Sequence, residues 1–552
     1  MRRAVAALAA GFGLAACATS AAPPPAHGSS AYADYLIGRI ANMNDDHAVA
    51  ADRYFAALSR APRDESVLNG ALVATLASGD ISRARRAARM APLEDAPGYA
   101  HLIRAADALV AGRYAASNTE TMRVEGPAAE ELLARMIQVW AQTGRGDVDQ
   151  IMVDLAPLSQ IRPYGALFAY QQAMALDYAG RDAEALAAYE TANNGGLWLP
   201  AGIERHADLL VRTGARDRAI ALLSEDGNRA NPALVAALAR LEGGGAAASA
   251  PLTPARGAAV GLYGMSAIFL QEHDSTSGLA ALTLSMMLDP AFDGARIAFA
   301  QQQAALGHVA LARNTLAGVA EASPYHGTAR IMDAWVLLDA GDEEGALVLA
   351  RANAEGGDPR AVRTLADMYR NMERYDEAEP LYGQLIESQP RDWRLYFARG
   401  AARERIGRWS EGEADLQQAL RLSPDQPDVL NYLGYTWIDR GERMSEGLAM
   451  IERAVELRPN SGAILDSLGW AHYRMGEYGQ ALDLLERAVA LEPADATLND
   501  HLGDVYWRLG RRIEARFQWE RALTFDPGDA QAIRAKIANG LPHQPTTRSA
   551  TR

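Results

Sequence analysis

Cysteine and lysine are almost absent from this sequence. Cys17 is the only cysteine and Lys536 the only lysine in 552 residues. A single thiol cannot form a disulfide framework within the chain, and no CxxC motif exists. A phosphate-binding GxxxxGK loop is excluded as well, because Lys536 stands between Ala535 and Ile537. The formal charge of −15 argues against general binding of nucleic acid or anionic lipid.

Catalytic motifs are equally scarce. The sequence contains neither HExxH nor GxSxG, and its ten histidines are scattered. His472 and His501 have acidic neighbours in sequence, so an acid–base or metal site there is one hypothesis. No ligand-spaced partner accompanies them, and histidines on helices usually pack or face solvent. We therefore predict no enzyme, no metal and no cofactor.

The N-terminus has the pattern of a secretion signal. Two arginines precede an apolar run from Ala4 to Leu14, which is too short to be a stable membrane anchor. Leu-Ala-Ala-Cys follows, and this motif resembles the bacterial lipobox, in which the cysteine is acylated. Residues 1–16 are therefore predicted to be a lipoprotein signal peptide, Cys17 the lipidated residue and residues 17–30 a flexible tether. Ala18, rather than aspartate, favours the outer membrane and its periplasmic face.

A repeat fills the last third of the chain. Five prolines are spaced 34, 35, 34 and 34 residues apart: Pro390, Pro424, Pro459, Pro493 and Pro527. Within the copy Gly462 to Asp495, Leu465 and Leu468 fall at helical spacing, a turn is predicted at Gly476, and Ala481, Leu485 and Ala488 resume helical spacing. Each copy thus predicts two helices joined by a tight turn, with small residues where the helices approach.

These landmarks resemble the tetratricopeptide repeat, or TPR. Leu-Gly stands at the seventh and eighth places, alanine at the twentieth and twenty-seventh, and proline at the thirty-second. The resemblance implies an all-α solenoid that forms a right-handed superhelix. We predict about fourteen hairpins with one interruption, and these leave no stretch for a catalytic domain between residues 31 and 540.

The remaining segment boundaries are predicted from the same spacing of helices and turns. Residues 31–241 are predicted to be degenerate hairpins, with turns at Gly79, Gly112, Gly144, Gly180 and Gly214 and a lone last helix from Pro232 to Leu241. Residues 242–254, EGGGAAASAPLTP, have no hydrophobic face and are predicted to be a linker and a candidate hinge. The TPR array spans 255–540, with a last helix from Ala530 to Asn539, and 541–552 form a disordered tail.

The TPR resemblance also implies a binding groove lined by the first helix of each hairpin. The groove positions of the family fall here on Arg363, Arg370, Arg394, Phe397, Asn431, Tyr435, Asp466, Trp470, Tyr473, Arg474, Asp500, Asp504, Trp507 and Arg508. Aromatic residues with arginine are typical of protein-binding hot spots. The alternative is that the charged residues only solvate a surface. Under that alternative, Trp437 and Trp519 are core residues of the repeat. Trp470 and Trp507 are the better groove candidates because they fall off the core positions.

The stretches NYLGYTWIDRG, ILDSLGWAHYRMG and HLGDVYWRLGRRIEARFQWERAL resemble the outer-membrane TPR lipoproteins that partner a carboxyl-terminal processing protease. That resemblance implies a non-enzymatic periplasmic adaptor that scaffolds the protease and its cell-wall hydrolase substrates. The alternative is a structural scaffold of an envelope assembly or export machine: pilotin-like, or acting in outer-membrane biogenesis or polysaccharide export. Both imply protein partners and a membrane contact through the N-terminal lipid.

Overall fold

The computed structural model describes residues 30–542 except residues 94 and 249. The predicted signal peptide, Cys17, nearly all of the tether and the tail from residue 543 lie outside the described residues. The chain divides into two compact units, one ending at Ala340 and the other beginning at Gly341. The described residues form thirty α-helices and no β-strand, which confirms the predicted all-α class of repeated hairpins.

The first unit contains eighteen helices. They are α1 (Ala31–Met43), α2 (His47–Leu58), α3 (Glu65–Ala77), α4 (Ile81–Met90), α5 (Gly98–Val110), α6 (Tyr114–Thr121), α7 (Ala128–Arg145), α8 (Val148–Leu155), α9 (Gly165–Tyr178), α10 (Asp182–Asn194), α11 (Pro200–Arg212), α12 (Arg216–Leu223), α13 (Pro232–Glu242), α14 (Pro254–Gln271), α15 (Ser275–Leu288), α16 (Asp293–Ala305), α17 (Val309–Ala317) and α18 (His326–Asp339).

The second unit contains twelve helices. They are α19 (Glu343–Ala354), α20 (Pro359–Asn371), α21 (Tyr375–Ser388), α22 (Trp393–Arg405), α23 (Trp409–Leu422), α24 (Pro427–Arg440), α25 (Met444–Leu457), α26 (Gly462–Met475), α27 (Tyr478–Leu491), α28 (Ala496–Arg508), α29 (Arg512–Ala522) and α30 (Ala530–Asn539). Among the helices described in both units, none combines the length and the apolar character that crossing a membrane requires.

The hairpin of α26 and α27 shows how the sequence specifies each repeat. The Ser461 hydroxyl accepts a hydrogen bond from the Ile464 N–H at 3.4 Å and caps the start of α26. Gly476, at φ +82°, ends it in the left-handed conformation that favours glycine. Leu465 and Leu485 are fully buried between the two helices. The predicted helix, turn and helix are therefore confirmed here.

Two helices of a hairpin approach closely where glycine faces glycine. A Cβ built on Gly434 of α24 would lie 2.7 Å from the carbonyl oxygen of Gly447 on α25. A Cβ on Gly447 would lie 2.8 Å from the carbonyl oxygen of Gly434. Gly400 and Gly412 meet in the same way on α22 and α23, with distances of 3.0 and 2.8 Å. The backbones touch directly, so no side chain fits between them.

One predicted turn lies two residues away from its expected position. Gly79, Gly112, Gly180 and Gly214 all have positive φ between their paired helices, as the turn prediction requires. Gly144 does not, because α7 continues to Arg145 and the turn falls on Gly146 at φ +87°. Gly144 is instead a packing glycine, since its Cβ would lie 2.7 Å from the ring of Tyr114.

The hairpin α14–α15 packs across the first helices α3, α5, α7 and α9 of its own unit. A Cβ on Gly257 of α14 would lie 2.1 Å from the indole of Trp140 on α7, so only glycine fits there. On α15, the Thr283 hydroxyl donates to the carbonyl oxygen of Leu76 on α3 at 2.6 Å. The side of the first unit where the TPR groove was expected is therefore covered by the chain itself along α3 to α9.

Residues 242–254 do not mark the division between the units. The stretch between α13 and α14 is non-helical, but it lies inside the first unit, because α14 and α15 pack back onto α3 to α9. Ala247 is fully buried, and the Ala248 N–H donates to the Asp208 carboxylate at 3.1 Å. The linker is thus bonded to the first unit at Ala248, and its role as a hinge stays a prediction.

The Gly434–Gly447 contact is testable by adding one methyl group. We expect Gly434→Ala to destabilise the second unit by about 1–3 kcal/mol, because the methyl group must push two backbones apart. Gly479→Ala is the matched control, since its Cβ meets no atom within 4 Å on α27. There we expect a gain of roughly 0.5–1 kcal/mol from helix propensity. Denaturant unfolding followed by circular dichroism measures both, and equal shifts would contradict the close backbone contact.

Candidate functional site

The predicted groove residues lie on the first helices of consecutive hairpins in the second unit. Arg363 and Arg370 lie on α20, Arg394 and Phe397 on α22, Asn431 and Tyr435 on α24, Asp466, Trp470, Tyr473 and Arg474 on α26, and Asp500, Asp504, Trp507 and Arg508 on α28. Helix α26 contacts both α24 and α28, so these three helices form one continuous surface.

An aromatic stack connects α26 to α28. The indole of Trp470 stacks on the ring of Tyr473 at 4.6 Å between centroids and on the imidazole of His501 at 4.0 Å. His501 Nδ1 lies 2.9 Å from both carboxylate oxygens of Asp466. Tyr473 and Asp466 are buried, and Trp470 is half-buried. The stack therefore fixes the spacing of two first helices, a role the sequence patterns did not indicate for His501.

The surroundings of His501 favour its charged form. Burial opposes protonation, but the negative charge and the hydrogen bond of Asp466 outweigh it, so the pKa of His501 is raised. The carboxylates of Asp500 and Asp504 act in the same direction. We therefore describe His501 and Asp466 as an ion pair at pH values below the raised pKa of His501.

The last helix, α30, covers the predicted groove residues of α28. Lys536 Nζ lies 2.8 Å from a carboxylate oxygen of Asp500 and 2.9 Å from one of Asp504. Asp504 also accepts a hydrogen bond from Trp519 Nε1 at 2.9 Å. Lys536, the single lysine of the sequence, thus ties α30 to α28 at the end of the array.

The residues that follow α30 complete this covering. Gly540 lies against the indole of Trp507, where a Cβ would approach to 1.8 Å. Arg508 Nη1 donates to the Pro542 carbonyl oxygen at 2.7 Å, and Arg508 Nε donates to the Tyr473 hydroxyl at 3.2 Å. Trp507 and Arg508 therefore both pack against the chain's own C-terminal residues. Their role in a binding groove stays a prediction.

An open section remains on α22, α24 and α26. The Arg394 side chain is 65% exposed and lies over the ring of Trp393 at 4.8 Å. Phe397 meets Tyr432 edge to face at 5.7 Å. Burial, aided by Asp439 and Asp466, raises the pKa of Tyr435 to about 12, so its hydroxyl stays a donor. This section combines aromatic side chains with an exposed guanidinium group.

Two polar atoms of this section lack hydrogen-bond partners. Asn431 Oδ1 on α24 and Trp470 Nε1 on α26 are shielded from solvent, and neither has a hydrogen-bond partner among the described residues. An unpaired buried polar group costs about 1–3 kcal/mol. A ligand that supplies one donor and one acceptor would recover this cost once the side chains that shield the two atoms move aside. An extended peptide backbone presents both.

The other predicted arginines are in ion pairs at the surface. Arg363 Nη2 lies 2.5 Å from Asp392, Arg370 Nη2 lies 3.6 Å from Asp367, and Arg474 Nη1 lies 2.6 Å from Asp439. An exposed pair such as Arg474 with Asp439 contributes only about 0–1 kcal/mol, whereas Arg363 and Asp392 are half-buried. A partner's carboxylates can therefore exchange with the exposed pair at small cost.

The histidines do not form a metal site in the described part of the chain. His472 Nδ1 pairs with Glu477 at 2.6 Å, and His501 pairs with Asp466 instead of joining His472. Across residues 30–542, leaving aside residues 94 and 249, no group of three or more histidine, cysteine or acidic side chains is placed to hold a metal ion.

Comparison with known proteins supports the repeat class. Residues 363–427, 402–462 and 467–530 match the tetratricopeptide repeat family. No curated protein sequence matches the chain.

Three solved structures show partial similarity. A tetratricopeptide repeat protein from Parabacteroides merdae is 14% identical, with a TM-score of 0.39 over 44% of this chain and 96% of that chain. The Cut9–Hcn1 hetero-tetramer of the APC/C is 14% identical, with a TM-score of 0.40 over 92% of this chain and 96% of that chain. PilW, a type IV pilus biogenesis factor, is 19% identical, with a TM-score of 0.30 over 33% of this chain and 85% of that chain.

The ion pair of His501 predicts a pH-dependent stability. Because the folded pKa is above the unfolded value of about 6.5, its stabilisation is complete below that pH and is lost as pH rises through the folded pKa. We therefore expect wild type to exceed His501→Gln in unfolding free energy at pH 5.5 and to lose this advantage as the pH rises through the folded pKa of His501. Denaturant unfolding at each pH measures the difference. Asp466→Asn is the control that should also remove the pH dependence, and an advantage independent of pH would contradict the pair.

Proposed function

We propose that this protein is a non-enzymatic adaptor that binds other proteins on the open section of α22, α24 and α26. The tetratricopeptide repeats between residues 363 and 530 indicate a scaffold for protein–protein interaction. We further propose that it acts in the periplasm, where it brings a carboxyl-terminal processing protease together with cell-wall hydrolase substrates. The sequence resemblance of its C-terminal stretches supports these finer assignments.

The chemistry of the open section carries the proposal. Arg394 is exposed, Phe397 and Tyr435 offer partly buried aromatic surface, and Asn431 and Trp470 keep polar atoms unpaired. Aromatic and arginine side chains dominate binding energy at protein interfaces. The unpaired donor and acceptor match the backbone of an extended segment, while Arg394 matches an acidic side chain or a terminal carboxylate. The preferred occupant is thus an extended, acidic segment of a partner.

The binding surface is testable with two exposed or half-buried residues. We expect the double variant Arg394→Ala and Asn431→Ala to capture the partner about tenfold or more weakly, because it lacks the guanidinium and amide groups of the proposed contact. Arg487→Ala on α27 is the matched control, because Arg487 is exposed on a second helix. Affinity capture from detergent-solubilised envelopes, quantified by mass spectrometry, measures the change.

The identity of the captured proteins decides the finer assignment. We expect wild type to capture a carboxyl-terminal processing protease together with cell-wall hydrolases. Recovery of these proteins should fall with the double variant and should not fall with Arg487→Ala. Secretin or barrel-assembly subunits in their place would contradict the protease assignment and favour an envelope scaffold. Equal recovery with the double variant and the control would instead contradict the binding surface.

We also propose that acylated Cys17 anchors the chain to the periplasmic face of the outer membrane. The Leu-Ala-Ala-Cys motif after a short apolar run supports this anchoring. Cys17→Ser should move the protein from the membrane fraction to the soluble periplasmic fraction, because no acyl chain can then be attached. Fractionation with immunoblotting measures the shift, and a variant that stays with the outer membrane would show that the anchor lies elsewhere.

A further inference from the structure

A cavity lies inside the first unit, between α11, α13 and α14. Its interior offers about 80 Å³ to the centres of water molecules. One bound water needs roughly 10–15 Å³ on this measure, so the space suits several waters or one small organic molecule.

Two arginines in its wall keep a donor unpaired. Arg205 is only 9% exposed, and its Nη atoms bind Asp177 and the Ala250 carbonyl oxygen, each at 3.3 Å. Arg240 Nη2 donates to Glu204 at 2.9 Å and to the Ala247 carbonyl oxygen at 2.5 Å. The Nε atoms of both arginines are buried and lack a hydrogen-bond partner among the described residues. Both donors therefore need an acceptor that the chain does not provide.

The predicted linker contributes part of the wall of this cavity. Arg205 and Arg240 hold the carbonyl oxygens of Ala250 and Ala247, and Asp208 holds the Ala248 N–H. Ala248 and Ala250 themselves line the space. The small side chains of this segment thus let its backbone lie against buried charges, which explains a composition that resembles a free linker.

The rest of the lining defines the kind of ligand. Three guanidinium groups, from Arg205, Arg240 and Arg256, face two carboxylates, from Glu204 and Asp293, so the lining carries one more positive than negative charge. Arg205 and Arg256 are also paired with Asp177 and Asp289 outside it, which cancels this excess, so the preference for an anion rests on the two unpaired Nε–H donors. The lining also contains the apolar side chains of Leu252, Val260 and Phe292.

We propose that this cavity binds a small monocarboxylate with a short apolar body. The carboxylate accepts from the Nε–H groups of Arg205 and Arg240, and the apolar body lies against Val260 and Phe292. Charge-assisted hydrogen bonds of this type are stronger than those to a neutral acceptor, so the site selects a carboxylate over the matching amide. This site is separate from the protein-binding surface on α22 to α26, and neither depends on the other.

Isothermal titration calorimetry on the full chain tests the site with acetate, butyrate and hexanoate. Butyramide is the neutral control and inorganic phosphate the anion without an apolar body. We expect butyrate or hexanoate to bind about tenfold or more tightly than butyramide and phosphate. Equal affinity for butyrate and butyramide, or no heat from any carboxylate with folded protein, would overturn the proposal.

Variants locate the binding. Ala233 lines the cavity from α13, and Ala233→Leu should fill the space and reduce affinity by about tenfold or more. Ala239→Leu is the matched control, because Ala239 is exposed on the same helix and does not line the cavity. Ala201 lines the cavity from α11. Ala201→Leu is therefore the second filling variant, used if thermal unfolding shows that Ala233→Leu is misfolded. Unchanged affinity in a folded, filled variant would contradict binding in this cavity.

Discussion

The close approach of two helices within a hairpin is the constraint on which the second unit depends. Gly400 with Gly412 and Gly434 with Gly447 place backbone against backbone, and the large buried residues then fill the space on either side. Because each hairpin is too small to bury its own apolar face, its neighbours complete the core. This stacking orders the first helices side by side, so residues far apart in sequence, such as Asn431 and Trp470, share one surface.

Both units cover part of their own first-helix surface. In the first unit, α14 and α15 lie across α3 to α9, with Gly257 against Trp140. In the second unit, Lys536 of α30 binds Asp500 and Asp504 of α28, and Gly540 covers Trp507. Such covering buries apolar groups and pairs charged groups that a terminal repeat would otherwise expose. The surface proposed for protein binding is the section of α22 to α26 that these segments leave open.

Sequence reasoning predicted the repeat because its signals are local. The period, the turn at Gly476 and the last helix Ala530–Asn539 each depend on residues close in sequence, and the structure contains each of them. The segment α14–α15 was different, because its role depends on contacts with helices far away in the chain. A signal was present: α15, STSGLAALTLSMML, is apolar on all sides, which is typical of a buried helix and not of a surface one.

The groove was predictable only in outline. Family positions placed all fourteen residues on first helices, but they could not show which were already engaged by the chain. Asp500 and Asp504 are held by Lys536, a residue whose spacing carries no repeat signal. The linker illustrates the same limit, since a Gly- and Ala-rich composition indicates freedom while Arg205 and Asp208 fix its backbone.

Site-specific photo-cross-linking in intact cells tests the binding surface most directly. A cross-linking residue placed at Asn431 on α24 should form an adduct with a carboxyl-terminal processing protease or its substrate, whereas one at Arg487 on α27 should not. Adducts of equal yield at both positions, or an adduct only at Arg487, would contradict a binding surface on the first helices.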